Sequence, residues 1–156
     1  HAVLGENVVR QSTLMKVVAG LLVPSKGEVR IGRKRETIAG AAEAMRLGIG
    51  MVHQHFMLVP PLTVAENVCL GLSSAGRLIP NLKQCANNIR ALAKAYDLDV
   101  DPNARIADLS IASQQRVEIL KVLYRGARIL ILDEPTAVLA PQEASGLFRI
   151  LRLLAA

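Results

Sequence analysis

The sequence predicts an α/β fold in which a mostly parallel sheet is flanked by helices. Three observations predict it. The stretch Arg128 to Thr136, RILILDEPT, places an uninterrupted aliphatic run, Ile129 to Leu132, directly before Asp133, Glu134 and Pro135. An apolar run without alternation is the pattern of a strand buried on both faces, as in the middle of a parallel sheet. Ile49 to Val52 reads as a second short buried strand, and it leads into Gln54. Finally, 156 residues with 51% hydrophobic content can bury one sizeable core.

The remaining elements follow in order. Ser12 to Leu22 reads as a helix that ends near Pro24 and the turn residues Ser25 to Gly27. Gly27 to Gly32 is predicted as a strand and Ile38 to Leu47 as an alanine-rich helix. Pro60 and Pro61 break the chain before a helix from about Val64 to Leu70, capped by Thr63. Leu72 to Pro80 is a loop containing glycine and serine, after which Leu82, Ala86, Ile89, Leu92, Ala93 and Tyr96 recur at helical spacing. Asp101 and Pro102 mark a connection to Leu109. The helix beyond, about Gln114 to Arg125, is apolar on more than one face and should pack into the body. Pro141 opens a last helix with Leu147, Ile150, Leu151 and Leu154 in one stripe.

Two carboxylates at the carboxyl end of a buried parallel strand lie where open α/β sheets bind ligands. Asp133 and Glu134 suit a metal–nucleotide site, one acid holding magnesium and the other orienting an attacking water. The plainer alternative is a strand that ends in solvated charges.

Four segments decide between these readings: GENVVRQST from Gly5 to Thr13, MVHQHF from Met51 to Phe56 with the following LVPPLTVAEN, LSIASQQR from Leu109 to Arg116, and the acidic strand itself. Their order and separation resemble the nucleotide-binding subunit of ATP-binding cassette (ABC) transporters. In that family they are the phosphate loop, the glutamine loop, the signature motif and the magnesium-binding strand. The wording of the middle segments is most similar to importers of simple sugars and nucleosides. The resemblance implies a P-loop NTPase-type core with a small helical subdomain inserted at about residues 63–112. The complete domain is larger, so it also implies a fragment that begins one strand late and stops before the family's switch histidine.

ATP and magnesium are the cofactors that the resemblance implies. It assigns Ser12, Asp133 and Gln54 to the metal, and Glu134 with Gln54 to catalysis. Gly5, Asn7, Gln11, Ser12 and Thr13 are assigned to the nucleotide, with Ser110 and Gln114 closing on it from a second subunit. The implied partners are that second ATP-binding subunit, a transmembrane permease and, indirectly, a solute-binding protein. The turn around Phe56, Met57, Leu58 and Val59 would receive the permease, although the same residues would also serve as core. The implied location is the cytoplasmic face of the membrane, reached through partners.

Two motifs depart from the family pattern. The phosphate loop reads G-x-x-x-x-G-K-[ST]. Here Val8 takes the place of the usual middle glycine, Arg10 replaces the last glycine and Gln11 replaces the lysine. Glycines are needed there because the loop curls its amides around phosphate through angles that side chains forbid. Either the loop is strained at Val8 or it has refolded. Losing the lysine's charge alone predicts a rate loss of about a hundred- to a thousandfold. Contiguous changes of this kind also match a locally compensated reading-frame shift. In the signature segment, Ala112 and Ser113 replace glycine and glutamate. A non-hydrolysing relative, or a decayed product that keeps the fold and docking surface, is the alternative function.

A net charge of +6 with Arg30, Arg33, Lys34 and Arg35 close together raises nucleic-acid binding. Only Phe56, Tyr96, Tyr124 and Phe148 are aromatic, and none interleaves with the basic residues as a stacking platform would. The cluster reads as the solvated face of a short strand pair, and no nucleic-acid partner is expected. No window approaches the roughly 18–20 apolar residues needed to span a bilayer, and no signal peptide is visible. His53 and His55 flank Gln54 without a third ligand nearby in sequence. Cys69 and Cys85 lack metal or redox spacing and are expected as free thiols in a reducing cytoplasm.

Overall fold

The computed structural model describes residues 8–72, 81–137 and 139–155, with side chains from residue 13 onward. The parallel pair at its centre is β3 (Ile49–Val52) and β4 (Ile129–Leu132), in the register Ile49 to Ile129 and Val52 to Leu132. Both strands fall where the apolar runs predict. The pleat sends alternate residues to opposite faces. Ile49, Met51 and Ile131 pack with Met15 and Val18 of α1 (Val8–Val18), with Ala19 just beyond it and with Ala44 of α2 (Ala41–Arg46). Val52, Leu130 and Leu132 pack with Ile119 and Val122 of α5 (Ile111–Tyr124) and Leu147 of α6 (Pro141–Leu154). The result is a three-layer α/β core.

β4 is less enclosed than an uninterrupted apolar run predicts. Ile131 is buried, but Ile129 is 43% exposed and Leu130 and Leu132 are half-buried. Among the described residues, β3 is the only strand paired with β4.

Helix α1 differs most from expectation. It spans Val8–Val18, beginning one turn earlier than Ser12 and ending four residues before Leu22. The early stop has a local cause. Gly20 adopts φ 73°, its N–H donates to Val17 O at 3.1 Å, and Leu21 N–H donates to Lys16 O at 2.8 Å. This is a Schellman close with glycine in the left-handed position. A Cβ on Gly20 would also overlap the Gly40 carbonyl.

The hairpin β1 (Val29–Ile31) and β2 (Lys34–Glu36) follows, antiparallel, and carries the basic cluster. Arg30 and Arg35 both reach Glu28, at 2.5 and 3.3 Å, and Lys34 reaches Glu36 at 2.8 Å.

A further hydrophobic cluster joins α3 (Val64–Cys69), α4 (Leu82–Ala95) and α5, with Val64, Val68, Ile89, Ile106, Val117 and Leu120 at its centre. Thr63 caps α3 in a reciprocal box with Glu66, as the sequence predicts for the cap. Residues 102–107 lie against 60–65 through four backbone hydrogen bonds, including Val64 N–H to Ala104 O and Ile106 N–H to Leu62 O. A 3₁₀ turn, Ile106–Asp108, then delivers the chain to α5.

The expectation of free thiols is corrected. Cys69 and Cys85 form a disulfide across the α3–α4 contact, with Cα atoms 6.7 Å apart. They lie 16 positions apart in sequence, but side-by-side packing of the two helices brings them together. Among the described residues, no helix is long and apolar enough to cross a membrane.

Candidate functional site

Parallel pairing brings two separate motifs to one edge. The ladder runs one bond past β4, where Asp133 N–H donates to Val52 O at 3.1 Å. Asp133 and Gln54 therefore leave from the same carboxyl ends of neighbouring strands. Asp133 is half-buried, and Gln54 lies exposed in the bend after β3. Glu134 is exposed at φ 47°, and its carbonyl accepts from Ala137 N–H at 3.1 Å to close a turn. A left-handed non-glycine residue costs about 1–2 kcal/mol. No sequence signal marks this strain at the acid assigned to catalysis.

Gly5 and Asn7 lie outside the described residues. Gln11 and Ser12 are described in backbone only, within the first turns of α1, and Thr13 is exposed on the same helix. At Val8, where the sequence poses a choice between strain and refolding, the backbone is helical and opens α1. A helix amino end still offers unpaired amides to an anion.

Ser110 is the N-cap of α5, four residues before the expected helix start at Gln114, and it is exposed. Its Oγ accepts from Ser113 N–H at 3.2 Å and bonds Ser113 Oγ at 3.1 Å. The substitution at position 113 thus engages the serine of the signature segment. Gln114, assigned to nucleotide, turns its Nε2 inward to Leu109 O at 3.1 Å and Ile106 O at 3.4 Å, where it fastens the 3₁₀ turn. Gln115 is buried, and its Nε2 has no hydrogen-bond partner among the described residues.

The segment after Gln54 is held from two helices. Met57 N–H donates to Glu118 Oε1 at 2.6 Å, and Lys121 Nζ donates to Met57 O at 2.7 Å. Val59 N–H donates to Asn67 Oδ1 at 2.7 Å, and Asn67 Nδ2 returns to Val59 O at 3.1 Å and Thr63 O at 3.0 Å. Burial pulls the Lys121 ammonium below its ordinary range, against the opposing pull of Glu118, 3.9 Å away. Sequence reasoning passed over Asn67, Glu118 and Lys121. The available signal was a charged pair three residues apart inside the otherwise apolar VEILKVL of α5.

Met57 is 63% and Val59 37% exposed, whereas Phe56 and Leu58 are half-buried and Leu58 packs on the core. The expected docking turn is therefore split between surface and interior. Met57 borders a groove of about 570 Å³ lined by Met45, Met51, His53, Lys121 and Val122.

Comparison with known proteins agrees with this geometry. The chain matches the ABC transporter family over residues 1–137 and belongs to it. It is 53% identical over 154 residues to the nucleoside import ATP-binding protein NupA of Lactococcus lactis subsp. cremoris, covering 99% of this chain and 30% of that protein. It is 49% identical over 156 residues to the guanosine import ATP-binding protein NupO of Bacillus subtilis, with the same coverage. The chain thus spans about 30% of the length of these relatives. Among solved structures, CbiO1 of Clostridium perfringens, part of an ABC transporter complex, superposes with a TM-score of 0.75 at 28% identity, covering 97% of this chain and 61% of that one. A dimeric bacterial cassette, MJ0796, superposes with a TM-score of 0.68 at 29% identity, covering 92% and 62%.

Proposed function

We propose that this chain is part of an ATP-binding and ATP-hydrolysing subunit that energises an importer of simple sugars or nucleosides. The observation that carries the reading is the departure of Gln54 and of Asp133 with Glu134 from adjacent strand ends. Asp133 and the Gln54 amide are hard oxygen donors, which suits magnesium, and Ser12 would complete the protein's share. Magnesium, when bound, offsets charge on the nucleotide phosphates. Glu134 accepts a proton from the attacking water, and Gln54 orients that water. By their places in the phosphate-loop motif, Gly5, Asn7, Gln11 and Thr13 would bind the phosphates. Ser110 of one subunit approaches the nucleotide held by the other, so the working unit is a dimer. Residues 63–112 form the helical subdomain. The groove beside Met57 receives the permease, which holds the protein at the cytoplasmic face, and a solute-binding protein acts at one remove. The relatives named for nucleoside and guanosine import support this reading.

The helical backbone from Val8 to Ser12, together with Arg10 and Gln11, favours the second reading, a subunit that keeps the fold without efficient hydrolysis. One experiment separates the two. Magnesium-ATP binding and phosphate release are measured for the full-length protein and for Val8→Gly/Arg10→Gly/Gln11→Lys. Activity only in the repaired protein assigns the loss to the loop. Absence of both binding and release after repair overturns the first reading.

A further inference from the structure

We infer that Glu118 and Lys121 are positioning residues that lock the glutamine-bearing segment to the helix led by Ser110. The inference rests on the nucleotide-hydrolysing reading above, although its structural half stands alone. Both backbone polar groups of Met57 are taken by one face of α5, the N–H by Glu118 and the carbonyl by Lys121. Glu118 and Lys121 are three residues apart, so they sit one turn apart on that face. Glu118 is 4% exposed. A charged residue is rarely this buried unless its partners are fixed. Asn67 repeats the arrangement at Val59 from α3. Among the described residues, the buried polar side chains are Asn67, Gln115 and Glu118, so two of the three are spent on one short strap.

The strap begins three residues after Gln54, and the helix that grips it is capped by Ser110. A displacement of α5 therefore pulls Met57 with it, and Gln54 follows because only two residues intervene. Neither Glu118 nor Lys121 needs to touch nucleotide. Their role is to fix where the Gln54 amide stands relative to the acids at the end of β4.

The test uses the full-length protein carrying the repaired loop, with Glu118→Ala, Glu118→Gln and Lys121→Met. Amide exchange at Met57 is expected to be slow in the parent and in Glu118→Gln, which keeps an acceptor, and to rise at least about tenfold in Glu118→Ala, since its bond is lost. Misplacement of Gln54 is expected to lower kcat by about ten- to a hundredfold in Glu118→Ala and Lys121→Met, with KM for magnesium-ATP within about twofold and recovery in Glu118→Gln. Unchanged Met57 exchange in Glu118→Ala overturns the inference. So does activity that falls only in step with melting temperature across all three variants. If the repaired protein proves unable to bind ATP, the nucleotide reading fails separately, and Met57 exchange still decides the clamp.

Discussion

Gly50 in the middle of β3 lies directly beneath Val122 of α5. A Cβ added at Gly50 would overlap Val122 Cγ1 and stand 3.0 Å from Ala127 Cβ. The helix that carries Ser110 can approach the sheet this closely because position 50 has no side chain. Gly50→Ala is expected to destabilise the fold by about 1–3 kcal/mol through overpacking. Urea denaturation of the parent and variant measures it, and an unchanged midpoint would contradict the packing described.

At Glu134, stability and activity are expected to pull apart. Asparagine tolerates left-handed backbone better than glutamate does. Glu134→Asn should raise stability by about 1 kcal/mol. In the loop-repaired protein it should also slow phosphate release by about a hundred- to ten-thousandfold, by removing the proton acceptor. Denaturation and phosphate-release assays on the same preparation provide the comparison.

The α3 cap gives a prediction in pH. The Thr63 N–H, and then its hydroxyl, hold the Glu66 carboxyl below the ordinary carboxylate range. A depressed folded-state value adds stability above the unfolded-state value, and that stability is lost as pH falls through the folded one. Acid titration followed by amide exchange in Val64–Cys69 should therefore loosen α3. In Glu66→Gln the protection, corrected for the intrinsic pH dependence of exchange, should be nearly flat over that window. Thr63→Ala should cost about 1 kcal/mol at neutral pH.

The Cys69–Cys85 bond closes a sequence separation of 16 residues. A closed loop of that size is expected to contribute about 3 kcal/mol by restricting the unfolded chain. Reductant should lower the melting temperature of the parent. Cys69→Ser/Cys85→Ser should start low and ignore reductant, and thiol counting before and after denaturation checks the bond itself.

Much of the framework was legible in the sequence because its signals are local. The runs Ile49 to Val52 and Ile129 to Leu132 became β3 and β4 at those boundaries, and the Thr63 and Pro141 starts of α3 and α6 follow from cap and N1 chemistry. Tertiary geometry was not legible. The early end of α1 needed the Gly20 turn and its contact with Gly40, neither of which a periodicity reading weighs against Pro24. The cysteine pair depended on how α3 meets α4. Gln54, Ser110, Asp133 and Glu134 were picked out by motif, but the inward turn of Gln114 and the left-handed Glu134 depend on backbone placement. The grip of Glu118 and Lys121 on Met57 spans more than 60 residues, 61 and 64, which no local pattern encodes.

Because α1 reaches back to Val8, the amide of Ser12 and those beyond it are already committed to carbonyls four residues earlier, and only the first turn keeps donors to spare. Donors confined to one helical turn answer to negative charge more than to the outline of the anion that carries it.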